Sequence, residues 1–298
     1  MKSGVFTGLT AVATWLLLAV LALIIAGGIW AGGPHLSWRL VSEPASGDMF
    51  DPAKAGLLSM ILGTVSRVFL MTLFVMPAGV ITAIYLGEYA PPKAWTTRFM
   101  RAAITNLAGV PSIVFGLFGL GFFVGFLGGG IDGLAGSGGI KWGRPALVWA
   151  SLTLALMTLP VVIVATEESL RAIPSGIREA ALALGATRLQ TIVRVVLPQA
   201  VPGILTGGIL AIGRAAGEVA PILFTGAAFL TDGRIGLADR FMDLAYHVFV
   251  LSTQSPDLER SRPLLHASVL VLLALTVLLN LLAVLVRARI RAAAPARS

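Results

Sequence analysis

Arg214 and Glu218 are two residues of opposite charge, four positions apart in an otherwise apolar or small stretch across residues 201–223. Read as a helix starting at Val201, they lie roughly 20 and 25 Å along its axis. That depth is within a bilayer, where a charge costs at least about 2.5–3.5 kcal/mol on insertion scales. Ionisable residues held at such a cost usually face a cavity, a partner or a pathway. Arginine presents a planar, permanently charged fork of paired donors that suits an oxyanion and keeps its proton in a low dielectric. Arg214 is therefore the candidate for a transient anion site. Glu218, one turn further on the same face, can orient the guanidinium or accept a hydrogen bond from a protonated anion oxygen. It would also repel fully deprotonated anions such as sulfate. The alternative is an i,i+4 ion pair that neutralises itself and fastens helices.

The elements that must hold this pair are membrane helices. The chain is 57% hydrophobic and only 12% charged, too apolar for one water-soluble core. Apolar runs near 20 residues recur at residues 9–30, 65–86, 104–127, 145–165, 201–223 and 267–286, each able to cross about 30 Å of hydrocarbon. None shows the period-two alternation of barrel strands, so the prediction is an all-α bundle of six transmembrane helices. The first run is longer than a secretory signal core and ends in Ala26-Gly27-Gly28 rather than a cleavage-like site, which argues for a retained span. Within the spans, Pro111 and Pro221 interrupt helical bonding and are predicted to kink their helices or to let them bend during gating. Gly203 with Gly207, and Gly213 with Gly217, form small-xxx-small surfaces that permit close helix packing. Arg67, at the start of the second run, is expected to snorkel to the outer interface without a functional role.

Charge placement orients the bundle. With the N-terminus inside, inner segments hold Lys2, Lys93, Arg98, Arg101, Arg171, Arg178, Arg188, Arg194, Arg287, Arg289, Arg291 and Arg297. The outer loops hold Arg39, Lys54, Lys141, Arg144, Arg234, Arg240, Arg260 and Arg262. The excess predicts both termini on the cytoplasmic side, and the net charge of +8 is read as topology rather than as nucleic-acid binding. Trp30, Trp142 and Trp149 fall near the proposed outer ends as interfacial aromatics should. The Gly-rich stretch 128–139 reads as a flexible outer connection. There are no cysteines, and His35, His247 and His266 lie far apart, so no metal site is predicted and the histidines are taken as polar-loop residues. No P-loop sequence occurs, so any ATP must be bound by another chain.

Residues 167–198, between the fourth and fifth spans, are long, arginine-rich and partly helical in pattern. Pro174 and Ser175 start a run of strong helix formers that Gly185 would stop. A short helix across the membrane face is predicted, with small alanines for close approach, Leu182 and Leu184 to fill a groove, and Arg178 paired with Glu179 at its rim. Here Glu179-Ala180-Ala181, three residues, Gly185, nine residues, then Val195-Val196-Leu197-Pro198 resembles the EAA loop of ABC-importer permeases, with Val195 where that family usually has isoleucine. Residues 83–90, 106–114 and 213–218 resemble the phosphate-specific, PstA-like branch of that family, and the likeness covers roughly residues 58–291.

The resemblance implies a MetI-like permease core at 58–291 with its EAA loop at 167–198, after a first helix and outer loop at 1–57 and before a cytoplasmic tail at 292–298. It implies a non-enzymatic subunit of an inward phosphate transporter in the bacterial inner membrane. Its partners would be a PstC-like permease, two copies of a PstB-like ATPase and a PstS-like binding protein. ATP and magnesium would be bound by the ATPase and no cofactor by this chain. Glu179, Ala180, Ala181, Gly185, Leu197 and Pro198 would dock the ATPase. Two alternatives stay open: an ABC permease for sulfate, phosphonate or an amino acid, and an ion-gradient-driven carrier in which Glu218 moves a proton. The docking loop speaks against the second.

Overall fold

In hydrocarbon a backbone can bond only within its own helix or around a closed barrel. The computed structural model describes residues 2–45, 49–52, 54–135, 141–231 and 235–293. Among them six helices are long and apolar enough to span a membrane: Phe6–His35, Leu58–Tyr89, Ser112–Leu134, Leu147–Arg171, Arg188–Ala216 and Leu258–Ala292. The all-α, six-span reading is thereby met.

The first span is helix α1 (Lys2–Gly32), followed by the short α2 (Trp38–Ser42). Helix α3 (Leu58–Ile84) runs back and widens into a π-helical turn, Tyr85–Tyr89. The amphipathic α4 (Trp95–Ala108) precedes the third span, built from α5 (Ser112–Phe118), a π-helical stretch Gly119–Gly128 and α6 (Gly129–Ala135). Helix α7 (Leu147–Arg171) is the fourth span and α8 (Ser175–Ala183) the connector helix. The fifth span joins α9 (Arg188–Thr191), a π-helical turn Ile192–Val196 and α10 (Leu197–Ala216). Then come α11 (Ala220–Leu223), two short strands, β1 (Ala227–Ala228) and β2 (Phe241–Met242), paired in parallel, α12 (Leu244–Thr253) and the long α13 (Leu258–Ala293).

Helix α7 is the hub. Of its most apolar window 67% is buried, against 0% for the first span. Leu154 and Met157 of α7 join Val68, Met71 and Val75 of α3 and Ala211 of α10 in one cluster. Glycines let the backbones meet: a Cβ on Gly79 would stand 2.6 Å from Val162 Cγ1, and one on Gly207 2.7 Å from Ala165 Cβ. Gly203 packs on Ser169 of the same helix, so the Gly203/Gly207 surface is an α10–α7 contact. Gly213 instead faces Asn280 of α13, and Gly217 meets nothing within 4 Å, so these two do not form a second packing stripe.

Several expectations need correction. Residues 104–108 belong to α4, and the third span begins only at Ser112, because Gly109 and Pro111 break the helix and Pro111 takes the N-cap of α5. The fifth span stops at Ala216, and Pro221 is a first-turn residue of α11. Neither proline therefore kinks a continuous helix; both stand where a missing N–H costs nothing. The prolines inside helices are Pro77, Pro160, Pro202 and Pro263. The Gly-rich stretch is helical through Ala135; residues 136–139 of it, and residues 294–298 of the tail, lie outside the described residues. Trp149 is buried rather than interfacial, its Nε1 donating to the Trp142 carbonyl at 2.8 Å. His247 is buried in α12, stacked on Phe229 at 5.7 Å, and His266 lies within α13.

Candidate functional site

Arg214 occupies the last turn of α10, and Glu218 the turn just beyond the C-cap, Gly217, where its N–H bonds the Ala215 carbonyl at 3.2 Å. Their ion pair is loose, Nε to Oε1 3.5 Å, with the Arg214 side chain 42% exposed and that of Glu218 24%. Both thus keep donors and acceptors available on a face that this chain leaves uncovered. Pro221 and Ala220 lie against Gly116 of α5, where a Cβ would stand 2.7 Å from the Ala220 carbonyl oxygen. The two segments that begin at Pro111 and follow Glu218 therefore touch.

Beneath this pair is a network that the sequence reading did not assemble. Arg67 does not snorkel. The second span starts at Leu58, nine residues earlier, so Arg67 sits about 14 Å inside it and is fully buried. Its Nη1 donates to the Ala215 carbonyl at 2.9 Å and its Nη2 to that of Ala216 at 3.2 Å. These are last-turn carbonyls, without the i+4 partner of a helix interior, that carry the negative end of the helix dipole; that of Ala215 also accepts from the Glu218 N–H. Nη2 also pairs with Asp243 Oδ2 at 2.9 Å, both side chains wholly inaccessible. Asp243 Oδ2 accepts from Thr64 Oγ1 at 2.9 Å, and its Oδ1 caps α12 by accepting the Tyr246 N–H at 3.1 Å. Arg67 thus fixes the end of α10 from which Arg214 projects. The signal in the sequence is an arginine in an apolar run, and the helix that carries it begins at Leu58, seven residues ahead of the run that hydropathy marks.

At the opposite end of the bundle, α8 runs from its N-cap Pro174 to Gly185, whose φ of +85° makes the left-handed stop. The Gly185 N–H bonds the Leu182 carbonyl at 2.9 Å and the Ala186 N–H the Ala181 carbonyl at 3.1 Å, the paired bonds of a Schellman ending. Glu179 and Ala180 are exposed, Ala181 half-buried, and no α8 residue is buried. Leu182, Leu184 and Leu189 are 48%, 90% and 62% exposed, an apolar set that this chain does not cover. Leu197 is half-buried and Pro198 exposed in the first turn of α10. Arg178 does not pair with Glu179. It turns inward to Glu88, Nη2 to Oε1 2.7 Å, because the end of the second span offers a largely buried carboxylate. No group of three or more His, Asp or Glu able to hold a metal occurs among the described residues.

Comparison with known proteins adds independent support for this architecture. The signature of the family described as "Binding-protein-dependent transport system inner membrane component" matches residues 76–292. The probable ABC transporter permease protein YqgI of Bacillus subtilis (strain 168) is 32% identical over 275 residues, 87% of this chain and 85% of that protein. The phosphate transport system permease protein PstA of Mycobacterium leprae (strain TN) is 36% identical over 205 residues, 68% of this chain. The matched region spans 61% of that relative's length. Among solved structures, a chain of a bacterial alginate ABC transporter in complex with an alginate-bound periplasmic protein superposes with a TM-score of 0.61. It has 14% identity and 92% coverage of both chains, a likeness of fold alone.

Proposed function

The chain belongs to the family of binding-protein-dependent transport inner membrane components, and from that premise we propose that it is the permease subunit through which an ATP-driven importer moves inorganic phosphate inward. The observation that carries the substrate is the half-exposed Arg214 in the last turn of the fifth span, together with the PstA name of its M. leprae relative. A guanidinium 42% exposed on the isolated chain is costly against lipid but suits a face closed by a second, PstC-like permease. Phosphate, delivered outside by a PstS-like binding protein, would contact Arg214 at that interface, with Glu218 accepting from its protonated oxygen. Pro111 and Pro221 mark the breaks about which the flanking segments turn as access alternates.

A PstB-like ATPase pair, binding ATP and magnesium, would seat α8 through Glu179, Ala180, Ala181 and Gly185 and the nearby Leu197 and Pro198. The exposed Leu182 and Leu184 would fill its groove. This places the α8 end and both termini in the cytoplasm. No covalent chemistry falls to this chain.

Uptake of labelled phosphate, with sulfate as control, in cells lacking the chain tests the reading. Wild type restores phosphate-selective uptake; Arg214→Ala and Glu179→Lys, present in the membrane at normal amounts, do not. Glu218→Gln admits sulfate. Restoration by Arg214→Ala would remove that residue from the anion path, and wild type that restores no phosphate uptake would refute the substrate.

A further inference from the structure

Three arginines from three separate elements converge on one turn at the cytoplasmic end of the second span, the π-helical Tyr85–Tyr89. Arg101 of α4 donates through Nη2 to the Leu86 carbonyl at 2.9 Å. Arg178 of α8 holds the Glu88 carboxylate side-on, Nη2 at 2.7 Å and Nε at 3.2 Å from Oε1. Arg188 of α9 donates to the Glu88 carbonyl, and its guanidinium lies 5.1 Å from the centre of the Tyr89 ring. The turn closes with the Ala90 N–H bonded five residues back to the Tyr85 carbonyl at 2.8 Å. Helix ends leave carbonyls without partners and carry negative potential, and cationic side chains answer both here. Single π-helical turns frequently mark functional sites.

Arg178 does more than cap. Its Nη1 donates to the Ile173 carbonyl and its Nη2 to the Leu170 carbonyl, both at 2.8 Å. One guanidinium therefore joins the end of α3, the end of α7 and the docking helix. With side chains only 22% and 11% exposed, the Arg178–Glu88 pair is shielded from salt and held by fixed partners. Helix α8 is two-sided: Ile177, Arg178 and Ala181 are half-buried, whereas Glu179, Ala180, Leu182 and Leu184 are exposed.

We propose that the Tyr85–Tyr89 turn is where movement of the docking helix enters the second span, with Glu88 and Arg178 as positioning residues that keep α8 and α3 together through the transport cycle. This rests on the ATP-driven reading of α8. Without the clamp, α8 would keep its packing through Ile177 and against the Ile192–Val196 turn at the start of the fifth span but lose its direct tie to the end of α3, and a displacement of the ATPase would swing it relative to the second span rather than drive that span.

The sequence contains no cysteine, so spin labels can be introduced at Lys93→Cys and Ser175→Cys, both exposed, in the assembled transporter in lipid. With the clamp intact, the label separation is the same in nucleotide-free and ATP-vanadate-trapped states; with Glu88→Gln it shifts on trapping. In the unlabelled transporter, Glu88→Gln continues to hydrolyse ATP, and phosphate moved per ATP falls about tenfold, the loss of one charge-assisted contact. Arg178→Lys, which keeps the charge and loses the fork, provides the same readings if Glu88→Gln fails to assemble. A label separation that changes on trapping with the clamp intact, or an unaltered phosphate-to-ATP ratio in the variant, would overturn the proposal. A transporter that moves no phosphate while its label separation holds would sink the phosphate reading and leave the clamp standing.

Discussion

Arg67 and Asp243 form a wholly inaccessible ion pair in which each partner also serves a helix end. Arg67→Met would leave Asp243 charged and buried and remove the guanidinium donors to the Ala215 and Ala216 carbonyls, a loss of about 3–5 kcal/mol. The thermal midpoint of the purified chain in detergent measures it, and Arg67→Met combined with Asp243→Asn should lose less than the sum of the two single changes. His247 shows the complementary case. Burial in α12, too short at 10 residues to span, pushes its pKa down from 6.5 to about 3, so it is neutral in the fold. Between pH 6.5 and 3 the unfolded chain takes up a proton that the folded chain refuses, and stability falls as pH drops through that window. The detergent-solubilised wild type should thus lose more stability between pH 7 and pH 5 than His247→Phe does; equal losses would refute the assignment. Neither residue was legible in this way from sequence. Arg67 looks terminal until the true start of its span at Leu58 is known, and its partner lies 176 positions away (243 − 67) in a loop with no periodic signal.

At the scale of elements, legibility follows how local the determining chemistry is. Helix α8 could be read almost to the residue, since its start and its stop are set by neighbours: Pro174 ahead, Gly185 behind at φ +85°. Adding a Cβ at Gly185 forces a left-handed conformation that costs about 1–2 kcal/mol. Gly185→Ala should accordingly fray the end that presents Leu184, and binding of the ATPase to the permease in detergent should weaken about tenfold, with phosphate uptake falling alongside. Unchanged binding would show that Leu184 is not part of the docked surface. The third and fifth spans are less legible, because hydropathy runs on smoothly across Gly109–Pro111 and Gly217–Pro221 while the backbone does not. Whether such a break is a kink, a cap or a fresh helix depends on what packs there, and the Ala220 carbonyl against Gly116 is a contact between distant segments that no local pattern encodes. The Glu88 turn was legible as a motif and silent as to role for the same reason: the three arginines that define it come from elsewhere in the chain.

For the whole molecule, burial is distributed unevenly around one hub, and that distribution dictates where the fold tolerates change. Helix α7 is enclosed by α3, α10 and the third span, whereas none of the most apolar window of the first span is buried. The first span therefore presents its apolar surface to lipid or to a partner subunit, and the bundle has a rigid interior with a replaceable exterior. Leucine substitution at glycines in the two regions separates these cases. At Gly207 a Cβ already meets Ala165 at 2.7 Å, while at Gly8 nothing lies within 4 Å. Gly207→Leu must push α10 away from α7 and with it the Arg67-capped end that carries Arg214, a cost of about 1–3 kcal/mol for overpacking alone. Gly8→Leu adds surface without collision and should stay within about 0.5 kcal/mol of wild type. Thermal denaturation in detergent compares the two. Because the displaced helix is the one that positions Arg214, Gly207→Leu should also depress phosphate uptake in the fraction that remains folded, and Gly8→Leu should not. Equal stability and uptake for both variants would mean that the α7–α10 contact is not what positions the anion site.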